Sequence, residues 1–170
     1  AMPLRVRMLL WRTGADVLPA KENMQRRFEI NNPSCALCRQ EVESNCHLFL
    51  NCSVAKALWY TCCWGFKAIH GISNCEDIIK MILDPPEASC PKEDQWMIIL
   101  NMAIILDEIW YLKKQVLFQN ISLDIVTSIR RVQHKLAEYT STLANENAPS
   151  CPEPASLGML TLSLLIPSPL

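Results

Sequence analysis

Cys35-Ala-Leu-Cys38-Arg-Gln-Glu-Val-Glu-Ser-Asn-Cys46-His47-Leu-Phe-Leu-Asn-Cys52 is the stretch on which the reading of this chain turns. Cys35 and Cys38 stand two residues apart, and His47 and Cys52 follow at a second short spacing. Three thiolates and an imidazole can surround one Zn²⁺ tetrahedrally, and four protein ligands close the shell. A closed shell keeps no position for a catalytic water, so the motif reads as a structural staple. Asn32-Pro33-Ser34 favours a turn just ahead of Cys35. Glu43 is the nearest candidate to hold the second ring nitrogen of His47. Cys46, next to His47, is a rival ligand that would make four sulfurs. Reduced core cysteines and a redox Cys-x-x-Cys are the other readings, but the redox motif belongs in a βαβ setting, and no such pattern surrounds Cys35. A disulfide framework is disfavoured by nine cysteines, an odd count, and by the lack of a signal-peptide pattern.

Half of the residues are apolar and only four are glycine, which points to a packed, mainly α protein. A chain of 170 residues can bury one core, or one core beside a small metal module. The net charge of −1 excludes nothing by itself. Its distribution is more telling. Residues 1–40 carry Arg5, Arg7, Arg12, Lys21, Arg26, Arg27 and Arg39 against Asp16, Glu22 and Glu29, seven positive to three negative. A basic lobe beside a zinc staple suits phosphate contact, and an ordinary solvated helix face gives the same pattern.

Along the chain, residues 4–13 read as a short helix, with Arg5 and Arg12 on one stripe and Met8 and Trp11 on another. Pro19 suits the first turn of a second helix, with Met24 and Phe28 on one face. Ser53 is a candidate cap for a third helix, with Val54 and Leu58 on one stripe and Ala55, Trp59 and Cys62 on a second. The metal segment thus lies between helices, and loop 29–46 has little apolar content to fix its shape without the ion. Gly65 and Gly71 bracket a loose stretch. Asn74 caps a helix over 75–83, which Asp84-Pro85-Pro86 stops. Pro91 opens the longest apolar run. From Trp96 to Leu106 only Asn101 is strongly polar, too short a run for a bilayer and followed at once by Asp107 and Glu108, so it reads as a buried helix continuing to about Gln119. Asn120 and Ser122 mark the next cap. Ile125, Ile129, Val132, Leu136, Tyr139 and Leu143 then repeat at coiled-coil rhythm, matched by Trp96, Ile99, Ala103, Leu106 and Trp110. The two helices are expected to fold back on each other, a coiled-coil dimer being the sharper alternative. Five prolines between Pro149 and Pro169 mark a change of character. The organisation expected is a zinc module at 1–70, a helical lobe at 75–145 and a disordered or out-of-frame tail at 146–170. Since the chain starts at Ala1, it reads as a fragment or a trimmed product.

Several stretches resemble the zinc-binding segment of plant LINE-type (non-LTR) retroelement polyproteins, which lies between a reverse transcriptase and an RNase H-like domain. These are Pro3-Leu-Arg-Val-Arg-Met-Leu-Leu-Trp-Arg12; Leu18-Pro19 with Asn23-Met24 and Arg26-Arg27; and Glu43-Ser44, His47-Leu48-Phe49, Cys52, Ala55 and Trp59. Ile109-Trp110 and Lys113 to Phe118 are similar to a later stretch, with Lys113-Lys114 where Arg-Asn is usual. The likeness is specific over 3–64 and weak over 75–140. It implies a non-catalytic accessory region that helps a retroelement enzyme hold nucleic acid. No Tyr-x-Asp-Asp polymerase motif is present, and six scattered aspartates do not make an RNase H set.

The residues therefore predict Zn²⁺ on Cys35, Cys38, His47 and Cys52, and RNA or DNA phosphates on Arg5, Arg12, Arg26, Arg27 and Arg39. The parent polymerase or RNase H-like domain is a possible partner, and no membrane is. A nuclear or cytoplasmic, non-secreted setting follows from the reduced cysteines. The rival function is a zinc-stapled protein-interaction module working through the 122–144 helix or a Trp-rich surface, and a third reading is a degenerate reading frame. Trp59 and Trp64 are read as core rather than base-stacking residues, His134 as solvated, and Cys62, Cys63, His70 and Cys75 as lacking metal-ligand spacing.

Overall fold

The computed structural model describes residues 2–61, 72, 74–85 and 95–146, the side chains of 143–146 excepted. Among these the regular elements are helical: α1 (Leu4–Gly14), α2 (Lys21–Gln25), a π-helical turn (His47–Asn51), α3 (Ser53–Tyr60), α4 (Cys75–Leu83), α5 (Gln95–Gln119) and α6 (Ile125–Glu146). The one β feature is an isolated antiparallel bridge between Ser34 and Val42. The expectations for Gly65, Gly71, Pro91, the 62–70 cysteines and histidine, Trp64 and residues 147–170 of the 146–170 tail lie outside the described residues.

Helix α5 is the central element. Its residues from Leu100 to Ile109 are buried on every side, as a helix apolar all round must be. It is the one described helix long and apolar enough to cross a bilayer, yet 67% of its most apolar stretch is buried inside the protein. It also carries Asp107 and Glu108, buried and ion-paired to other helices, and Lys113, buried and ion-paired to Glu43 of the loop before His47. That is the pattern of a core helix. A continuous apolar cluster runs from Val6, Leu9 and Leu10 of α1 through Leu48, Phe49, Leu58 and Trp59 to Ile78, Ile82, Leu106 and Val132. The metal segment and the helices that follow it share this core.

α5 and α6 pack as an antiparallel pair, as their matching rhythm predicts. Val132 is buried, with Ile129, Leu136 and Tyr139 packed on the core. The cap of α6 is Asp124, not Asn120 or Ser122: its carboxylate accepts the Thr127 N–H at 3.1 Å and the Thr127 hydroxyl. Asn120 instead adopts a left-handed backbone (φ 50°) that ends α5, a conformation asparagine tolerates well. Asn74 caps α4 as expected, its side chain accepting from Asp77 N at 2.8 Å. α1 lies against α4, and at Gly14 a Cβ would meet Ile79 Cγ1 at 3.1 Å.

In α1 the buried stripe is Val6, Leu9, Leu10 and Thr13, which leaves the Met8 and Trp11 stripe exposed. One local reading changes. Pro19 precedes α2, whose N-cap is Ala20, and the helix stops at Gln25, before exposed Phe28.

Candidate metal centre

A hairpin-like knuckle presents the first two cysteines. Cys35 N–H donates to Glu41 O at 2.7 Å, Glu43 N–H to Pro33 O at 2.9 Å, and Arg39 N–H to Cys35 O at 2.9 Å. The chain reverses at Arg39, whose φ of 60° is left-handed. These bonds turn Cys35 and Cys38 to the same side.

The π-helical turn presents the other two ligands. Cys52 N–H donates to His47 O at 2.7 Å, an i+5 to i bond. The His-x4-Cys spacing is the span of that single hydrogen bond, so His47 and Cys52 sit at its two ends. Cys52 is also the N-cap of α3, which overturns the expected Ser53 cap; Ser53 is the first helical residue. The backbone N–H groups of Val54 and Ala55 point at the Cys52 sulfur, and those of Leu37 and Cys38 at the Cys35 sulfur. Such donors, and the positive end of a helix, favour a thiolate.

The four candidate ligand atoms lie within 4.8 Å of one another. Cys35 Sγ and Cys52 Sγ are 3.9 Å apart, and Cys38 Sγ is 3.2 Å from His47 Nε2. Zn–S bonds of about 2.3 Å in a tetrahedron set the sulfurs roughly 3.8 Å apart. The donor set and its spacing fit Zn²⁺. The hydrogen bond to Cys52 and burial push the Cys35 thiol upward, while Cys52, accepting that bond, is drawn down.

Around the ligands, two expectations are corrected. His47 Nδ1 meets Glu41 Oε2 at 3.0 Å, so Glu41 orients the ring rather than Glu43. Cys46 faces away from the centre. Its thiol lies against Cys75, and the two line a hollow of about 450 Å³ with Asp16 and Asn45. Cys46 is therefore no rival to His47.

Glu43 has a different position. It is fully buried; one carboxylate oxygen accepts the Ala36 N–H at 2.9 Å, and the other accepts the Lys21 N–H at 3.2 Å and Lys113 Nζ at 2.7 Å. Lys113 also donates to Pro19 O at 2.7 Å and lies 4.7 Å from the centre of the Trp110 ring. Burial draws the Lys113 ammonium below its ordinary range, and Glu43 pulls it partly back. Loop 29–46 is thus held by this pair and by buried Cys35, Ala36 and Leu37, in addition to any ion.

Of the candidate phosphate contacts, Arg12, Arg26, Arg27 and Arg39 are exposed and make no ion pair among the described residues. Arg5 is committed: its guanidinium grips Asp107 of α5 through Nε (3.2 Å) and Nη2, which raises its pKa further. Trp59 is core, 1% exposed, with its indole N–H on Phe49 O at 2.6 Å. His134 is exposed, as read.

No curated protein and no solved structure shows a significant match to the chain. Residues 1–59 match the family model described as zinc-binding in reverse transcriptase, a zinc-binding accessory domain rather than a catalytic one, and all four candidate ligands fall inside the matched stretch.

Proposed function

We propose that this chain is a non-catalytic, zinc-stapled domain of retroelement origin that engages nucleic acid for a reverse transcriptase. The plant LINE-type ancestry rests on the motif resemblance, and a nuclear or cytoplasmic setting goes with it. The observation that carries the reading is the exposed, unpaired set of Arg12, Arg26, Arg27 and Arg39 in the segment folded around the metal centre. Arg26 and Arg27 flank a hollow of about 430 Å³ that Val17, Met24 and Phe28 also line, and Phe28 is 63% exposed. Guanidinium groups supply phosphate contacts, and an exposed aromatic ring beside them suits a strand with accessible bases.

Fluorescence anisotropy with RNA and DNA oligonucleotides at low and high salt tests this. Affinity is expected to fall steeply with salt, and Arg26→Ala with Arg27→Ala to weaken binding and flatten the salt slope by about two counterions. Binding that ignores both salt and the substitutions would overturn the reading. The rival function, a protein-docking module, draws support from Leu4, Met8 and Trp11, which leave an apolar stripe exposed along α1. Its occupant would be the polymerase domain of the parent polyprotein. Salt-insensitive association with that domain, lost in Trp11→Ala, is its signature.

A further inference from the structure

We propose that Glu43 and Lys113 are positioning residues of the metal centre, so that α5, far outside the stretch matching the zinc-binding family, is a working part of that centre. The proposal rests on the reading of Cys35, Cys38, His47 and Cys52 as Zn²⁺ ligands.

The argument starts from one carboxylate with three attachments. Glu43 holds the N–H of Ala36, the residue directly after ligand Cys35 and inside the Cys-x-x-Cys knuckle. It holds the N–H of Lys21 at the start of α2, and it holds the Lys113 ammonium. Glu43 and Lys113 are 0% and 3% exposed. A carboxylate so buried stays charged only if a cation balances it. Among the described residues Lys113 is the cation within ion-pair distance, and its other contacts, Pro19 O and the Trp110 face, fix its direction. The knuckle is thus aimed from α5 through Lys113 and Glu43.

A second contact reaches the other half of the centre. Trp110, one turn before Lys113, packs against Phe49 with ring centroids 6.4 Å apart. Phe49 lies inside the π-helical turn between His47 and Cys52. Both ligand pairs are therefore referred to a single rigid helix. Charge acts in the same direction. Three thiolates on a divalent ion leave one net negative charge, and Lys113 lies near enough to Cys35 to feel it. Removing the ammonium strands Glu43, loosens the knuckle and withdraws a favourable charge from the loaded site.

The test uses the full chain and measures Zn²⁺ affinity by chelator competition, Co²⁺ absorption and far-UV circular dichroism. Lys113→Met is expected to retain helical dichroism under saturating zinc yet bind zinc about 10–100-fold more weakly, the range for partners that orient metal ligands. Lys113→Arg should recover part of the loss. Asp107→Asn, on the same helix but paired to α1 and α6, should lower the melting temperature and leave zinc affinity unchanged. A parent-like affinity in Lys113→Met overturns the proposal. If Lys113→Met does not fold, the Glu43→Gln/Lys113→Met double variant, which strands no charge, decides: weaker zinc binding than the parent supports the proposal, and parent-like binding sinks it. A parent chain that shows no thiolate-to-cobalt charge-transfer band would instead remove the underlying metal reading.

Discussion

Asp16 shows how a side chain without a catalytic role can organise its surroundings. It follows α1 at a left-handed φ of 51°, and one carboxylate oxygen gathers Asn45 Nδ2 at 2.6 Å, Asn23 Nδ2 at 3.1 Å and Cys75 Sγ at 3.3 Å. Burial pushes Asp16 up, and the hydrogen bonds from Asn45, Asn23 and Cys75 more than offset it, leaving it below the usual carboxylate range. Its effect on Cys75 has the opposite sign. Burial, then Asp16 as acceptor and as a charge, drives that thiol far above its ordinary range. An ordinary thiol ionises near about pH 8.5. Cys75 keeps its proton beyond that point in the folded chain, so the stability it contributes is complete below the ordinary value and is lost as the pH climbs into the strongly alkaline range. Peptide-resolved alkylation kinetics should therefore show Cys75 inert from neutral to mildly alkaline pH in the native chain and reactive once denatured. At the metal centre, Cys38→Ser should abolish stoichiometric zinc in native mass spectrometry. The clustering of Cys35, Cys38, His47 and Cys52 was legible from residue type and spacing alone, because thiolate and imidazole chemistry leaves few alternatives. The identity of the carboxylate on His47 was not. Glu41 and Glu43 both lie close in sequence, and only the reversal at Arg39 sends one to the ring and the other into the core.

Among the elements, the long helices announced themselves and the short ones did not. The unbroken apolar run and its heptad-like partner specify α5 and α6, because a helix apolar all round has nowhere to sit except inside. The Asn74 cap was equally plain. The cap of α6 was misplaced because Asn120, Ser122 and Asp124 are all competent capping residues. The left-handed turn at Asn120 pushes the helix start onward to Asp124. Asp124→Ala should lower the midpoint of thermal unfolding. Ser122→Ala should leave the transition where it was. The π-helical turn escaped a reading built on α periodicity, since its signal is the five-residue step between ligands.

Over the whole molecule, charge buried within α5 ties distant parts together. Asp107 takes Arg5 from α1 and Lys135 from α6, and Glu108 takes Arg131 at 2.8 Å and Lys135 at 3.1 Å. In the sequence these two acids mark the end of an apolar run. Their burial became visible only with partners drawn from both ends of the chain. Arg131 and Lys135 can reach water once freed, being 36% and 23% exposed, so Glu108→Ala is expected to cost about 1–3 kcal/mol in denaturant melts, less than a sealed pair would. The link between α5 and the knuckle also bears on how such segments travel between proteins. Residues 1–59 look like an exchangeable cassette when aligned by family, but their buried acid answers to a cation encoded much further downstream. A graft of that cassette into a foreign host would arrive with an unanswered negative charge at its heart. Only recipients whose own framework offers an ammonium or guanidinium at the same place should accept it.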